Sequence, residues 1–472
     1  MKGKMLIYLL LLSLSFGIQQ NLIAQKQKST AEIDNYLEKV LKRSEIPGLA
    51  VAILKKDQLI YEGYFGYANL EHKVKVDNRS IFRVYSLTKP IVATAAFHMM
   101  EKGKFSLEDP ISKYLKGLPN AWKKVKIKHL LSHSSGLPEL GGIESPDEDE
   151  VLATTFKKEI YFPAGNRFRY TQTNFLLLKQ IMEKQSDKSF EEIIYDQQFL
   201  GQQPNVLFSS NSQEVIPHRA QRYQLNYQRN TWEKIDYVNP PFAHSGNGLN
   251  LSLPAMIRWD RLLNQGKVLS ENGKAKMWSE FRFDTPDRFA HGWGFYQVNG
   301  RNSLGFTGGG VAGFRKFREE NISIIFLSNG AKYRVSIDGI INHLAGMVDK
   351  DLEDKGALAE DALWDAFVGE NIQQAFEEHQ RLKKENPQKS FEGVLNSIGY
   401  DLLGRSRHED ALEVFKLNVK EHPDAWNVYD SLGEGYEEIG EIDLALKYYR
   451  KSVQLNPDNQ HGVEKIKELT TH

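Results

Sequence analysis

The chain has 472 residues, with 61 lysines plus arginines, 61 aspartates plus glutamates and no cysteine. A formal net charge of zero gives no overall field to attract nucleic acid or an anionic membrane, so neither is expected as a partner. The length predicts more than one domain, and the absence of cysteine excludes disulfides.

Residues 1–24 have the pattern of a secretory signal peptide. Lys2 and Lys4 precede the mostly apolar residues 5–16, and Ala24 is a small residue suited to cleavage. An apolar run of about twelve residues is too short to span a bilayer comfortably. We therefore expect a periplasmic or secreted bacterial protein without a stable membrane anchor.

The first predicted elements after the signal are a helix and two strands. Residues 30–41 open with Thr-Ala-Glu and predict a helix, and residues 49–54 and 59–64 predict strands. A polar Lys-Lys-Asp turn at 55–57 joins the two strands, which predicts an antiparallel pair.

Ser86 and Lys89 form the most informative local pattern of the chain. Apolar residues recur up to Gly103, which predicts a helix that begins at Ser86. On a helix, positions i and i+3 lie on one face, so the Lys89 amine can reach the Ser86 hydroxyl. A helix N-terminus also favours the negative charge that forms when a serine attacks a carbonyl. Taken alone, such a serine is more often a helix cap.

Three polar features in the long segment from about 107 to 290 have competing interpretations. His129 and His133 have the i, i+4 spacing of two metal ligands on a helix, but no glutamate follows His129, so we predict no metal site. The acidic residues 144–150 lack the pattern of a calcium loop and predict a solvated loop. Residues 245–248 suit either the border of a cleft or a simple turn.

The remaining predicted elements of this part are strands and a helix. Residues 107–290 predict a mostly helical insert with long loops, and residues 335–348 predict a covering helix. The predicted strands are residues 294–298, 313–317 and 322–327. Strands from both ends of this part, with helices between them, predict an α+β fold in which helices flank one antiparallel sheet.

Two further motifs follow the Ser-x-x-Lys pattern in order. The first is Tyr170-Thr171-Gln172, and the second is Phe306-Thr307-Gly308-Gly309-Gly310 before an apolar strand. Serine β-lactamases and penicillin-binding proteins have this layout, with a polar triplet and then a Lys-Thr-Gly strand. The chain resembles the class C β-lactamase-like family, which also includes D-peptidases and carboxylesterases. The other segments that resemble this family are residues 130–138, 245–252, 293–295 and 327–329.

The resemblance covers residues 30–345 and implies a serine hydrolase with a β-lactamase/transpeptidase-like fold and no cofactor. It implies that Ser86 is the nucleophile, Lys89 its base and Tyr170 the proton shuttle to the leaving group. The backbone N–H groups of Ser86 and Gly309 would form the oxyanion hole. We expect burial to lower the pKa of Lys89, and a nearby ammonium to lower that of Tyr170.

Two departures from the family pattern bear on the substrate. Gln172 replaces the usual asparagine and keeps its amide chemistry, while Thr307 and Gly308 are retained. Phe306 stands where relatives carry a lysine or histidine that pairs with a substrate carboxylate. Esters or D-amino-acid peptides are therefore expected in preference to β-lactams. Arg315 and Lys316 are candidate replacement cations, but cations on an outer strand are usually solvated.

The C-terminal part has an internal repeat of 34 positions. Residues 392–425 and 426–459 match each other in a pattern that resembles tetratricopeptide repeats, with a poorer copy at 358–391 and a capping helix at 462–469. Such helical arrays bind proteins or peptides, or else only brace the domain to which they are attached.

These patterns predict four parts: a signal peptide at 1–24, a hydrolase domain at 25–348, a charged linker at 349–357 and a helical repeat domain at 358–472. A small-molecule ester or peptide substrate is expected for the hydrolase domain, and a protein or peptide partner for the repeats. The alternative is a catalytically weak or inactive scaffold that presents the repeats to a partner.

Overall fold

The computed structural model describes residues 30–141, 145–226, 231–330, 336–369 and 371–470. The predicted signal peptide lies outside the described residues. The chain divides into two compact units, the first made mainly of residues up to 353 and the second mainly of residues 354–472. In the described ranges, every helix is too short or too polar to cross a membrane.

A seven-stranded antiparallel sheet is the centre of the first unit, in the order β3-β2-β1-β12-β11-β10-β9. β1 from the start of the unit pairs with β12 from its end, as expected from strands at both ends. The strands are β1 (Gly48–Lys55), β2 (Gln58–Asn69), β3 (Val74–Lys75), β9 (Gly294–Val298), β10 (Arg301–Gly308), β11 (Ala312–Phe317) and β12 (Ile322–Ser328).

The two faces of this sheet are covered by different helices, because side chains alternate along each strand. On one face, Leu49 and Phe326 pack with α1 (residues 30–43) and α10 (Ile337–Val348). On the other, Ala50 and Leu327 join a larger core that includes α2 (Thr88–Glu101). The predicted α+β class, with helices flanking an antiparallel sheet, is confirmed.

The segment between β3 and β9 is mostly helical, as predicted, but it also contains short strands. These strands are β4 (Ile81–Arg83), β5 (Val206–Phe208), β6 (Tyr223–Asn226), β7 (Thr231–Lys234) and β8 (Leu249–Ser252). The helices are α3 (Ile127–Leu131), α4 (Glu148–Thr155), α5 (Thr173–Lys184), α6 (Phe190–Phe199), α7 (His244–Asn247), α8 (Leu253–Asn264) and α9 (Glu271–Met277). β4, β8 and β5 form a three-stranded sheet in that order, and β6 pairs with β7.

The prediction of a solvated loop at 144–150 was wrong for its second half. Asp147 caps α4 by accepting hydrogen bonds from the backbone N–H groups of Asp149 and Glu150. Acidic residues in a first turn are stabilised by the helix dipole, which explains why this cluster begins a helix. Glu144 lies outside the described residues.

In the described part of residues 354–472, which make up most of the second unit, the secondary structure consists of paired helices. The helices are α11 (Lys355–Val368), α12 (Ile372–Glu385), α13 (Glu392–Gly404), α14 (His408–Glu421), α15 (Trp426–Glu438), α16 (Ile442–Leu455) and α17 (Gln460–Thr470). A side chain at Gly399 would collide with Phe415, and one at Gly433 would come within 2.9 Å of Tyr449. The same glycine–aromatic contact thus recurs 34 positions later, at the period that the sequence predicts.

Candidate active site

Ser86 lies in a short 3-10 turn, Tyr85–Leu87, immediately before α2. The prediction that α2 begins at Ser86 was therefore wrong by two residues, since α2 begins at Thr88, although Ser86 remains next to the helix N-terminus. Tyr85 has a φ of 48°, a left-handed conformation that is uncommon outside glycine. Such strain persists only where the surroundings enforce it, and it is typical of functional sites.

Lys89 is fully buried, and only neutral oxygen atoms accept hydrogen bonds from its amine in the described residues. Its Nζ atom lies 2.8 Å from the Gly246 carbonyl oxygen, 3.0 Å from Gln172 Oε1 and 3.4 Å from Ser86 Oγ. Burial lowers the pKa of Lys89 from 10.5 to about 7, because the ammonium form loses hydration. A large fraction of the amine is therefore unprotonated at neutral pH, as predicted.

Tyr170 is the second side chain in contact with Ser86, since its hydroxyl donates a hydrogen bond to Ser86 Oγ at 2.7 Å. Its ring also lies 4.6 Å from Lys89 Nζ. Burial raises the pKa of Tyr170 to about 12, and its hydrogen-bonding contacts with Ser86 and Gln172 offset only part of that rise. The predicted fall in the Tyr170 pKa was wrong because desolvation outweighs those contacts.

Glu139 is a neighbour of this cluster that the sequence patterns did not reveal. Its carboxylate accepts hydrogen bonds from the backbone N–H of Gln172 at 3.0 Å and 3.1 Å. Its negative charge raises the pKa of Lys89 and so opposes the larger effect of burial. In the sequence, the one feature that could have indicated Glu139 is its position directly after residues 130–138, which resemble the family.

His133 supports Tyr170 rather than forming a metal site with His129. α3 ends at Leu131 and His133 has a φ of 54°, so the i, i+4 spacing does not place the two histidines on one helix. The rings of His133 and Tyr170 pack with centroids 4.5 Å apart, and His133 Nδ1 lies 3.0 Å from Asn174 Nδ2. Burial lowers the pKa of His133 well below its usual value.

Residues 245–248 border the cluster and do more than turn the chain. They form most of α7, in which the Gly246 carbonyl accepts the shortest hydrogen bond of Lys89. A side chain at residue 246 would collide with Gln172 Oε1 and would lie 3.4 Å from Lys89 Nζ. Glycine at 246 therefore leaves room for the Gln172 amide beside the Lys89 amine.

The end of β10 forms the opposite wall of the cluster. The side chain of Phe306 is 8% exposed, and its ring lies 6.2 Å from the ring of Tyr170. A Cβ atom at Gly308 would come within 3.1 Å of the Ser86 backbone nitrogen. Gly309 has a φ of 56° and packs so closely against the Tyr85 ring that a Cβ atom would approach to 2.7 Å. Glycines at 308 and 309 thus let β10 lie directly beside the 3-10 turn that carries Ser86.

Thr307 belongs to a charged cluster on the other face of β10. Its hydroxyl donates to Asp338 Oδ1 at 2.7 Å and accepts from Arg315 Nη2 at 2.8 Å. Arg315 also forms an ion pair with Asp338, and its guanidinium lies 3.3 Å from the Tyr296 ring centroid.

The expectation that Arg315 and Lys316 are solvated on an outer strand was wrong. β11 is an interior strand, and both side chains are buried. Lys316 forms a buried ion pair with Asp260 at 2.7 Å. The described ranges contain no group of three histidine, aspartate or glutamate side chains arranged to hold a metal ion.

An antiparallel sheet with a helical insert, carrying a serine in contact with a buried lysine and a tyrosine, defines the class of serine hydrolases with a β-lactamase-like fold. The family model named Beta-lactamase matches residues 33–344. This chain belongs to the Beta-lactamase family.

The chain is similar to several proteins of this class. Penicillin-binding protein 4* of Bacillus subtilis (strain 168) is 24% identical over 383 residues, which cover 74% of this chain and 84% of that protein. The octameric penicillin-binding protein homologue from Pyrococcus abyssi has a TM-score of 0.59 at 22% identity, and the match covers 71% of this chain and 81% of that one. EstCE1, described as a hydrolase with promiscuous acyltransferase activity, has a TM-score of 0.57 at 19% identity, covering 70% and 99% of the two chains.

Proposed function

We propose that the protein hydrolyses esters or D-amino-acid peptides through an acyl-enzyme formed on Ser86. The observation that carries the proposal is the pair of contacts at Ser86 Oγ, with Tyr170 OH at 2.7 Å and Lys89 Nζ at 3.4 Å. Serine is a poor nucleophile at neutral pH and needs a base within hydrogen-bonding reach. Lys89 provides that base because burial brings its pKa to about 7.

In the first step, the neutral Lys89 amine takes the Ser86 proton while Oγ attacks the substrate carbonyl. The new oxyanion is stabilised by the backbone N–H groups of Ser86 and Gly309. Removal of one such donor typically costs about 10²–10³-fold in rate. The positive helix terminus of α2 adds to this stabilisation.

In the second step, the Tyr170 phenol gives its proton to the leaving group. With a pKa of about 12, the phenol is fully protonated before this step and is available as an acid. The ammonium of Lys89 then returns its proton to the phenolate, since the amine has the lower pKa. Water attacks the acyl-enzyme, and the same two groups move its proton.

The substrate preference follows from Phe306. An apolar ring next to Tyr170 cannot pair with a carboxylate, so an uncharged acyl compound is favoured over a penicillin or cephalosporin. A short nitrophenyl ester carries no carboxylate and needs less leaving-group assistance than an amide, whereas a D-Ala-D-Ala peptide and a cephalosporin both carry a carboxylate. We therefore place short esters first, D-amino-acid peptides second and β-lactams last.

A three-substrate comparison tests this proposal. Purified protein is assayed with a short-chain nitrophenyl ester, a D-Ala-D-Ala peptide and a cephalosporin, with Ser86→Ala as the blank. Turnover of the ester that disappears in Ser86→Ala, with an acyl adduct on Ser86 by mass spectrometry, is the expected result. Turnover that survives Ser86→Ala, or no adduct with any substrate, would exclude the acyl-enzyme. Strong cephalosporin turnover would overturn the preference.

Two wider parts of the proposal rest on sequence patterns. We infer from residues 1–24 that the reaction takes place in the periplasm or outside the cell. We infer from the repeats that residues 358–472 dock a protein or peptide partner. Under the scaffold alternative, Ser86→Ala would leave the biological activity intact while deletion of residues 358–472 would abolish it.

A further inference from the structure

The cluster of Arg315, Asp338, Thr307 and Tyr296 lies beside the site but has no part in the proton transfers described above. Arg315 is fully buried, and its guanidinium lies against the Tyr296 ring at 3.3 Å. A buried guanidinium needs a negative partner, because an unpaired charge in the interior is costly. Asp338, from the first turn of α10, supplies that partner.

Asp338 also occupies the hydrogen-bonding capacity of Thr307. The Thr307 hydroxyl has one proton, which it donates to Asp338 Oδ1 at 2.7 Å. It accepts in turn from Arg315 Nη2 at 2.8 Å. The hydroxyl therefore has no proton left to offer to an incoming anion.

The position of this cluster connects it to the substrate. Pairing between β9 and β10 ends at Gly305, so the following residues of β10, including Thr307, lack a strand partner on that side in the described structure. The next residue, Gly308, packs against the Ser86 backbone. Asp338, whose side chain is 46% exposed, accepts a hydrogen bond from Thr307, the residue next to the glycine that lies beside Ser86. A substrate carboxylate held at this unpaired edge of β10 would meet the negative charge of Asp338.

We propose that Asp338 is a specificity-determining residue that excludes anionic substrates. It acts as a built-in carboxylate, which neutralises Arg315, engages Thr307 and repels a second negative charge. This inference rests on the proposed function and deepens it, because it assigns the neutral-substrate preference to Asp338 in addition to Phe306. The ligand class that the intact site selects is an uncharged ester or amide.

The test compares two substrates that differ only in charge. N-acetyl-D-alanyl-D-lactate carries a carboxylate on its leaving group, and the corresponding lactamide does not. In Asp338→Asn, kcat/KM for the lactate ester is expected to rise about tenfold or more, since a repulsion between like charges is removed. For the lactamide, it is expected to change by about twofold or less. Asp338→Asn removes the counter-charge of the buried Arg315, so its stability is expected to fall although Ser336 still caps α10, and kcat/KM is therefore compared on the folded fraction.

Asp338→Glu is the matched control, because it keeps the negative charge and should keep the discrimination. Raising the salt concentration should weaken the wild-type discrimination, because exposed charges are screened, but not that of Asp338→Asn. Equal gains for both esters in Asp338→Asn, or loss of discrimination in Asp338→Glu, would overturn the inference.

A binding measurement separates this inference from the proposed function. Calorimetric titration of Ser86→Ala with the lactate ester is compared with titration of the double variant Ser86→Ala/Asp338→Asn. About tenfold tighter binding of the lactate ester by the double variant supports the inference, whether or not the wild type turns over either ester. Unchanged binding of the lactate ester overturns the inference, even if acylation of Ser86 is established.

Discussion

Two lysines in the first unit are buried to a similar extent but have different partners. Lys316 lies 2.7 Å from the buried carboxylate of Asp260, which is its counter-charge. Lys89 contacts only neutral oxygens of Gly246, Gln172 and Ser86. Because both side chains are buried, we attribute the different roles expected for the two lysines to their different partners. A counter-charge suits a buried lysine to a structural role, whereas neutral acceptors favour an unprotonated amine and so fit the role of base that we propose for Lys89.

The largest expected effect is on catalysis. Lys89→Met should lower kcat/KM for a neutral ester by about 10³–10⁴-fold, because the variant has no base for Ser86. Lys316→Met should leave kcat/KM of the folded fraction within about threefold, since Lys316 touches none of the proposed reacting atoms. Steady-state kinetics on both variants make the comparison, and similar losses in the two would remove the distinction between the lysines.

The second effect is on stability, and here the larger loss is expected for Lys316→Met rather than for Lys89→Met. Lys316→Met should lower the free energy of unfolding by about 3–4 kcal/mol, because it leaves the buried carboxylate of Asp260 without a partner. The double variant Asp260→Leu/Lys316→Met should recover most of this loss, because neither charge remains. Urea unfolding measures all three proteins. A loss of less than about 1 kcal/mol in the single variant would show that the pair is not truly buried.

The third effect is a pH dependence of stability that belongs to Lys89. The unfolded chain keeps the Lys89 proton up to about pH 10.5, whereas the folded protein loses it near pH 7. The stability contributed by the neutral amine is full above about pH 10.5 and is lost as the pH falls towards 7. Between pH 7 and pH 9, the wild type should therefore gain about 2 kcal/mol relative to Lys89→Met. A constant difference between the two proteins across this range would contradict the lowered pKa.

The smallest effect concerns the charge near Lys89. Glu139 favours the ammonium form, so Glu139→Gln should lower the Lys89 pKa further. The rise of kcat/KM with pH should then shift to lower pH by about half a unit, and by less at high salt. Glu319→Gln, at an exposed carboxylate that pairs with Arg301, is the matched control and should cause no shift. A shift to higher pH in Glu139→Gln would reverse the assigned role of Glu139.

Sequence analysis predicted those parts of the candidate site whose residues are close together in the chain or belong to motifs that follow one another in the order typical of the family. Ser86 and Lys89 are three positions apart, so helix geometry alone brings them together. The predicted fold class was also reached from strand positions at both ends of the first unit. The contacts of Lys89 with Gly246 and Gln172 span 157 and 83 positions, and no local pattern encodes them.

The failures of sequence prediction have physical causes. β4, β5 and β8 have only three or four residues each, which is too short for alternation to be recognised, and their stability comes from tertiary pairing. Arg315 and Lys316 were expected to be solvated because the sequence does not give the strand order. Interior placement of β11 buries both, and only the structure reveals Asp338 and Asp260 as their partners.

The most direct test of the central claim is the pH dependence of Ser86 acylation by a neutral fluorophosphonate, followed by mass spectrometry between pH 5 and pH 10. With Lys89 as the base, the rate should rise with pH and reach a plateau, with a midpoint near the Lys89 pKa of about 7. A rate that still rises at pH 10 without a plateau, as the ordinary lysine value of 10.5 would give, or no adduct on Ser86 at any pH, would contradict the account.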